Sequence, residues 1–477
     1  MVSNWRERLR KLRERITSAK KEGSISKQAA VRQHPLAINL GIDFGTSFTK
    51  VCFRDVGTEE TGVVTFGGRS IAGALIPSIV SIDHSGAISV GTSGRGSSGV
   101  DVRYLKMRLA NLTSHDESHN INGIDLNSDV AARSLSSWYL ATVIHRAQDW
   151  VLKHEAHRAK GRELQWSANV CVPVEHYDSP AIEVFRKVLV VAWTWASENN
   201  IPLQLNEAVS MYVKAAVVAP RDVDCHAIPE IASAVQSFIT SREAQPGVYV
   251  YFDIGGGTVD GVAFNYINWK GHRSLDFYSA KVEALGVAVV THDLDPKNPE
   301  GIEEALLKDI LSHDDRQKLI EWGRELQRLV AHVIMTAKTK DGRDWQHEVF
   351  QGTLPRRRIL VPLDASRMAP ITVFLGRGGA GFKWYQQAIL STYREFGQVN
   401  AGIPPYELTE VPKPRDLNMD RLEEADFRRF AIAYGLSVPY GEGPEIRLPS
   451  QFQKVKRKKP IRMNNIIDYL DSKDAYD

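Results

Sequence analysis

Two glycine-rich segments far apart in this 477-residue chain constrain its fold more than any other feature. The first is Asp43-Phe44-Gly45-Thr46-Ser47, and the second is Asp253-Ile254-Gly255-Gly256-Gly257-Thr258-Val259-Asp260. Each lies between two apolar runs, a pattern typical of a strand, a tight turn and a second strand. A single Gly-rich hairpin would be unremarkable. Because acid, glycine and hydroxyl recur in the same order, we expect a duplicated α/β domain that closes on one nucleotide from opposite sides.

The composition of both turns suits a polyphosphate. Glycine lets backbone N–H groups approach closely and tolerates positive φ, while Thr46, Ser47 and Thr258 add hydroxyl donors. The aspartates of both segments would repel phosphate unless Mg²⁺ or its water shell lies between them. Neither segment matches the G-x-x-x-x-G-K-[ST] loop, and neither opens a helix as a Rossmann fingerprint does.

Further motifs follow the first hairpin in a recognisable order. They are Ile76-Pro77-Ser78, Tyr104-Leu105-Lys106-Met107-Arg108-Leu109, Val172-Pro173, Leu205-Asn206-Glu207-Ala208, Phe374-Leu375-Gly376-Arg377-Gly378-Gly379 and Ala433-Tyr434-Gly435. With the two hairpins, they make residues 37–440 resemble the ATPase domain of the seventy-kilodalton heat-shock chaperone (DnaK-like) family, within the actin, sugar-kinase and heat-shock superfamily. The resemblance implies an actin-like ATPase fold, in which two duplicated ribonuclease H-like lobes flank a nucleotide cleft.

This resemblance divides the chain into four parts. Residues 1–36 form a basic helical N-terminal extension, and residues 37–220 form lobe I with the first phosphate hairpin. Residues 221–440 form lobe II, with the second hairpin, a helical insertion at 288–365 and an adenosine loop. Residues 441–477 form a basic C-terminal tail, too short for the peptide-binding domain of the chaperones. Within lobe I, apolar runs predict strands that include 167–173 and 201–205, and a helix over 207–218.

Catalytic roles follow from the resemblance, residue by residue. Asp43 and Asp253 are expected to organise Mg²⁺ through its waters, and Lys106 to reach the γ-phosphate and the attacking water. Glu207 matches a glutamate that orients this water; its alternative is a helix-start glutamate favoured by the helix dipole. The alternative for Lys106 is a solvated helix lysine. The remaining catalytic candidates are Asp253, Thr258 and Asp260.

The expected cofactors are ATP or ADP with Mg²⁺, and K⁺ is a further candidate ion. Besides Asp43, the expected nucleotide-binding residues are Gly45, Thr46, Ser47, Gly255, Gly256, Gly257, Thr258, Gly286, Lys338, Gly376, Arg377, Gly378 and Gly379. Ala380 stands where the family has an arginine that packs on adenine, so Arg377 is expected to substitute for it.

The resemblance implies a slow ATPase, forming ADP and phosphate, that acts as a switch on protein partners without the family's substrate-binding domain. An actin-like protein that forms ATP-dependent filaments is the alternative. A small-molecule kinase is less favoured, because the sequence has no signature of a carboxylate base beside a sugar or acid pocket.

Both ends of the chain carry basic residues, although the net charge is only +3. Trp5, Leu9, Leu12 and Ile16 share one helix face among arginines, and a basic run spans residues 454–459. Such ends are most often solvated or packed on their own domain. Docking of a protein partner is the next possibility, and contact with nucleic acid or an anionic membrane is the third.

Cysteine content and hydropathy indicate the compartment. The chain has three cysteines, without a metal-ligand or disulfide pattern, and we expect them to be reduced. No apolar run reaches the roughly eighteen residues of a membrane span, and the N-terminus lacks the apolar core of a secretory signal. A cytoplasmic location is therefore expected.

Overall fold

The computed structural model describes residues 35–68, 70–92, 99–110, 119–218, 223–343, 345, 370–398, 402–420 and 422–455. They form a mixed α/β fold with two large sheets, as the sequence predicts. The strands are β1 (Leu36–Phe44), β2 (Phe48–Asp55), β3 (Thr61–Val63), β4 (Ile76–Pro77), β5 (Val80–Ile82), β6 (Ile88–Val90), β7 (Val100–Val102), β8 (Asn120–Ile121), β9 (Ile124–Asp125), β10 (Leu164–Val172), β11 (Cys225–Pro229), β12 (Gly247–Ile254), β13 (Val259–Trp269), β14 (His272–Glu283), β15 (Ile371–Gly376), β16 (Tyr406–Thr409), β17 (Leu417–Asn418) and β18 (Glu445–Arg447).

The α-helices of the described residues flank these sheets. They are α1 (Leu105–Leu109), α2 (Asp129–His154), α3 (Ala156–Ala159), α4 (Val174–Tyr177), α5 (Ile182–Ser197), α6 (Leu205–Val218), α7 (Glu230–Ala234), α8 (Gln236–Ile239), α9 (Val287–Leu294), α10 (Pro299–Leu307), α11 (His313–Asp341), α12 (Lys383–Gln398) and α13 (Phe427–Ser437). The two longest begin at serine N-caps: Ser128 accepts from the Ala131 N–H, and Ser312 from the Asp315 N–H. Gly342 ends α11 with φ 69°, a left-handed conformation that favours glycine.

The two large sheets have the same strand order and the same strand directions. The first runs β11-β10-β1-β2-β3-β17, with β4 also paired to β2, and the second runs β16-β15-β12-β13-β14-β18. In both, the central strand pairs in parallel on one side and forms an antiparallel hairpin on the other. In both, the third antiparallel strand (β3 or β14) pairs in parallel with a short strand at the edge of the sheet (β17 or β18). The duplication is therefore present in the topology as well as in the hairpins.

The central strand of the first sheet is covered on both faces. All nine residues of β1 are buried, as expected of a strand between two helical layers. The Phe44 ring lies 5.8 Å from that of Tyr139 in α2. On the opposite face α13 approaches so closely that a Cβ on Gly41 would lie 2.1 Å from the Ala433 carbonyl oxygen. The Asn39 side chain donates to the carbonyls of Leu436 and Ser437, which fixes this contact.

The structure corrects one expectation about the first sheet. Residues 201–204 form no strand of either large sheet, and Leu205 already begins α6. The strand next to β10 is instead β11, which pairs with it in parallel from Ala168–Cys225 to Val172–Pro229. β11 therefore belongs to the first sheet, although it lies after residue 220. Residues 1–34 and 456–477, with most of both basic ends, lie outside the described residues.

Candidate functional site

The two predicted hairpins have the same length and the same register. Asp43 on β1 pairs with Lys50 on β2, and Asp253 on β12 pairs with Asp260 on β13. The two hairpins thus carry an aspartate at the same position, but opposite charges face it across the turn. This difference determines how the first aspartate is neutralised.

The loops of the two hairpins contact each other. A Cβ on Gly256 would lie 2.1 Å from the Ser47 Oγ, and one on Gly257 would lie 2.4 Å from the Thr46 Cγ2. A larger residue at either position would therefore displace the Ser47 or Thr46 side chain of the facing loop. The first loop is held from behind by Ser78, whose hydroxyl donates to the Gly45 carbonyl at 2.7 Å.

A third loop joins them after β15. Gly378–Gly381 form a short 3-10 turn, and Arg377 before it has φ 62° and ψ −167°. These loops enclose a cavity of about 230 Å³. The expected nucleotide-binding residues that line it are Gly45, Thr46, Ser47, Gly255, Gly256, Arg377, Gly378 and Gly379.

The cavity is strongly basic. Its lining includes Lys50, Arg377, Arg428 and Arg429, against the single carboxylate of Glu303. Arg428 and Arg429 lie at the start of α13 and come close to the third loop. These side chains offer donors to an anionic ligand, although Lys50, Arg377 and Arg428 each also pair with a carboxylate outside the lining.

Beneath the cavity, Arg377 and Lys50 neutralise Asp43 completely. Lys50 Nζ donates to Asp43 Oδ2 at 2.9 Å, and Arg377 Nη2 donates to Asp43 Oδ1 at 2.7 Å. Arg377 Nε lies 3.0 Å from Asp253 Oδ2. The Arg377 side chain is buried and contacts aspartates of both sheets. Its guanidinium is therefore a cationic bridge between the sheets.

Glu230 completes this cluster. It is the first residue of α7 and directly follows β11. Its Oε2 accepts from Lys106 Nζ at 2.8 Å, and its Oε1 accepts from Arg377. Lys106 also lies 3.6 Å from the Cys171 sulfur. Both oxygens of Glu230 are therefore bonded to buried cations.

These charges set the protonation of the two aspartates in opposite directions. Burial alone would raise the pKa of Asp43, but Arg377, Lys50 and Lys106 together lower it to about 2. Burial raises the pKa of Asp253 to about 7; Arg377 opposes this rise, and the charges of Glu230 and Asp43 add to it. The first carboxyl is thus ionised at neutral pH, whereas the second lies near its midpoint.

Asp260 and Tyr251 are buried near Asp253. Burial, with the charges of Glu230 and Asp253, raises the pKa of Asp260 well above its usual range. Among the described residues, neither oxygen of Asp260 has a hydrogen-bond partner, nor do Asp253 Oδ1 and the Tyr251 hydroxyl. Such buried polar atoms are costly, so they mark the part of the cluster that is incomplete without a further group.

The expected Mg²⁺ would compete with Lys50 and Arg377 for Asp43, whereas Asp253 Oδ1 and both oxygens of Asp260 have no hydrogen-bond partner among the described residues. Mg²⁺ requires oxygen ligands in octahedral geometry, and both oxygens of Asp43 are already held by Lys50 and Arg377. Ligand atoms of Asp43, Cys171 and Glu230 do lie within 4.8 Å of one another. A metal there would have to displace Arg377 from both carboxylates.

Two expected residues do not join this site as predicted. Glu207 is exposed, and its carboxylate accepts from the Leu203 N–H at 3.1 Å. Its contacts support the helix-start alternative, because α6 begins beside the turn between β5 and β6, where the Leu205 N–H donates to the Gly86 carbonyl. Arg377 was expected to pack on adenine, but its guanidinium is instead committed to carboxylates.

Other expected residues support the site from outside the cavity. Lys338 donates to the Gly402 carbonyl at 2.8 Å and does not line the cavity. The Gly286 N–H donates to Gly257 O at 3.2 Å, which holds the second loop. A Cβ on Gly376 would lie 2.1 Å from the Tyr251 hydroxyl. Thr258 is half-buried, and its carbonyl accepts from the Gly255 N–H within the second turn.

Sequence reasoning missed Glu230, Lys50, Arg428 and Arg429. A signal for Glu230 was available: an apolar run at 225–228, then Pro229 and an acid at a helix start. Lys50 could have been found as the residue facing Asp43 once the hairpin was assumed. The two arginines have no local signal of this kind.

The comparisons with known proteins add no relative. No protein-family model matches the chain, and no curated protein matches it. Among the described residues, no helix is long and apolar enough to cross a membrane. The assignment of function therefore depends on the motifs and on the geometry of this site.

Proposed function

We propose that this chain is an ATP-binding protein of the actin-like ATPase fold, a chaperone-like nucleotide switch that acts on protein partners. The observation that carries the proposal is the convergence of three glycine-containing loops, from two sheets of identical topology, on one basic cavity. A duplicated domain with matching hairpins offers phosphate donors from both sides. The motif order of residues 37–440 supports the chaperone branch of that superfamily.

The residues of the loops bind phosphate in this proposal. Thr46 and Ser47 offer hydroxyls and backbone N–H groups from the first hairpin, and Gly255 and Gly256 let the second backbone approach. The basic side chains of the cavity neutralise the anion. The glycines at 378 and 379 leave room for the ribose and base.

Hydrolysis, in this proposal, is slow. Glu230 cannot easily accept a proton from water while Lys106 and Arg377 bind both of its oxygens. Asp260 has acceptor atoms without a partner among the described residues, but burial raises its pKa well above the usual range and so disfavours the ionised form that would accept a proton. Neither carboxyl is therefore ready to act as a general base in this arrangement.

Nucleotide uptake requires the hairpin loops to separate. The cavity of about 230 Å³ is below the roughly 300–1,000 Å³ of typical small-molecule pockets. The two hairpin loops also approach each other beside it, at Gly256 and Ser47. Separation of the loops would change the relative position of the lobes, which is the movement that a protein partner could sense.

The test is equilibrium binding of fluorescent ADP to the purified chain and to Gly256→Ala. The added methyl group collides with Ser47 and narrows the phosphate cradle, so binding should be lost. Gly443→Ala is the matched control, because a Cβ there meets nothing within 4 Å. Equal binding by both variants would contradict the assignment of the cavity. Sedimentation velocity with ATP then separates a switch, which stays small, from the filament alternative, which forms large ATP-dependent species.

A further inference from the structure

The carboxylates where the family resemblance places a metal are already paired with a side chain of this protein. Arg377 contacts Asp43, Glu230 and Asp253, and all four residues are buried. These acids come from both sheets. A guanidinium presents five donors in a rigid fork, so it can satisfy several carboxylates at once.

The cluster is close to charge balance without any ion. Its three cations are Arg377, Lys50 and Lys106, and its four carboxyls are Asp43, Glu230, Asp253 and Asp260. A divalent ion would raise the cationic charge from three to five, against at most four negative charges. An anionic phosphate, by contrast, would meet the donor groups of Arg428 and Arg429 at the mouth of the cavity, each of which faces a single, partly exposed carboxylate.

Arg377 also reaches toward the position of the ligand. It lines the cavity, and a Cβ on Gly255 in the second loop would lie 3.1 Å from its Nη1. Nη2 donates to Asp43 and Glu230, and Nε lies 3.0 Å from Asp253 Oδ2, while Nη1 lies beside the second loop. A metal ion in a nucleotide site likewise bridges protein carboxylates and phosphate oxygens.

The backbone at Arg377 supports a dedicated position for this side chain. Its φ of 62° and ψ of −167° belong to a region that glycine occupies readily and other residues rarely. Glycines follow it at 378 and 379, yet this position carries an arginine. The buried ion pairs hold the side chain at a backbone geometry that is unfavourable for it.

From this geometry we propose that Arg377 is a resident cation that replaces Mg²⁺, so that the site binds nucleotide without a divalent metal. The proposal rests on the nucleotide-binding function proposed above. Arg377 is a binding and specificity residue here: it determines which ionic form of the nucleotide the site accepts.

The experiment measures fluorescent ADP binding in EDTA and in excess Mg²⁺ for the native chain, Arg377→Ala and Arg377→Lys. The native chain should bind equally well in both. A charge-assisted hydrogen bond contributes about 1.5–3 kcal/mol, so Arg377→Ala should bind roughly 10- to 100-fold more weakly in EDTA, and Mg²⁺ should restore part of the affinity. Arg377→Lys, which keeps the charge, should remain insensitive to EDTA.

A second measurement is the binding of Mg²⁺ in the absence of nucleotide, determined by isothermal titration calorimetry. Only Arg377→Ala should bind the ion, because Asp43 Oδ1, Glu230 Oε1 and Asp253 Oδ2 lose the cation that faces them, although Lys50 and Lys106 stay bonded to the other oxygens of Asp43 and Glu230. Arg447→Ala is the matched control: Arg447 also pairs with a buried aspartate, Asp276, but on the outer strands of the second sheet. It should leave both measurements unchanged.

The outcomes separate the two proposals. If the native chain binds no nucleotide under either condition, the proposed function fails. If it binds only with Mg²⁺, nucleotide binding stands and the resident cation is refuted. If Arg377→Ala binds in EDTA as well as the native chain does, Arg377 is not the cation. If Arg377→Ala does not fold, the native chain and Arg377→Lys still decide between these results.

Discussion

Replacing Glu230 by glutamine tests which glutamate belongs to the site. Glu230 is 2% exposed and accepts from Lys106 at 2.8 Å as well as from Arg377. Glutamine keeps the shape but removes the charge and presents an amide group to two cations. Glu207→Gln is the matched control, since Glu207 is also near a helix start but is exposed.

The expected loss in the free energy of unfolding of Glu230→Gln follows from the burial of its ion pair with Lys106. At 2.8 Å and an effective dielectric constant of about 20, the attraction between two unit charges is about 6 kcal/mol before desolvation. Removing one partner of a buried pair typically costs 3–5 kcal/mol, because the other charge stays buried without compensation. Glu230→Gln should therefore lower the free energy of unfolding by about 3 kcal/mol or more. Glu207→Gln, at the surface, should change it by roughly 0.5 kcal/mol or less.

The assay is urea-induced unfolding followed by circular dichroism, together with binding of fluorescent ADP. We expect the midpoint of Glu230→Gln to fall clearly while the slope stays constant. ADP binding should change in Glu230→Gln and not in Glu207→Gln. Equal effects of the two variants, or a larger effect of Glu207→Gln, would refute the assignment of Glu230 to the cluster.

Three further predictions concern packing, pH and the thiols. Gly41→Val should abolish soluble folded protein, because a Cβ there lies 2.1 Å from Ala433 O, whereas Gly443→Ala should melt like the native chain in thermal unfolding. The pKa of Asp253 is raised from 3.8 to about 7, so the folded state retains a proton that the unfolded state loses. The retained proton contributes on the order of 4 kcal/mol to the free energy of unfolding below pH 4, and this contribution is lost as pH rises to 7. Asp253→Asn should flatten that decline in urea unfolding measured from pH 4 to 8, and an unchanged slope would contradict the shift. All three cysteines are buried, and burial raises the pKa of each thiol, so the native protein should resist alkylation at pH 8 until urea unfolds it; rapid labelling of the folded chain would contradict this.

The α/β class and both hairpins could be predicted because their signals are local. A strand, a glycine turn and a second strand lie within a few residues, and side chains alternate between the two faces. The positions of Asp43 and Asp253 beside the turns follow from the same pattern, and the structure brings both into one cluster through Arg377. The hairpin register also fixes which residue faces each aspartate.

Glu230 could not be chosen over Glu207 by local sequence alone. Both precede or begin a helix after an apolar stretch, and Asn206-Glu207 matches the family motif more closely. The difference arises from a long-range contact: β11 pairs in parallel with β10, and this carries the start of α7 to the centre of the site. Pairing between distant strands leaves no local pattern, so the motif match could not indicate Glu230.

The contact between Arg377 and Asp43 also depends on long-range pairing, and it limits when an acidic motif can predict a metal site. A carboxylate can bind an ion only if its oxygens are free. Here the competing cations come from positions outside the acidic motif, from Lys50 on the facing strand and from Arg377 in the third loop. The aspartates lie where the motif predicts. The cations that pair with Asp43, however, are Lys50 and Arg377, which the motif does not include. A prediction of metal binding from acids alone therefore requires an account of every cation that the fold brings to them.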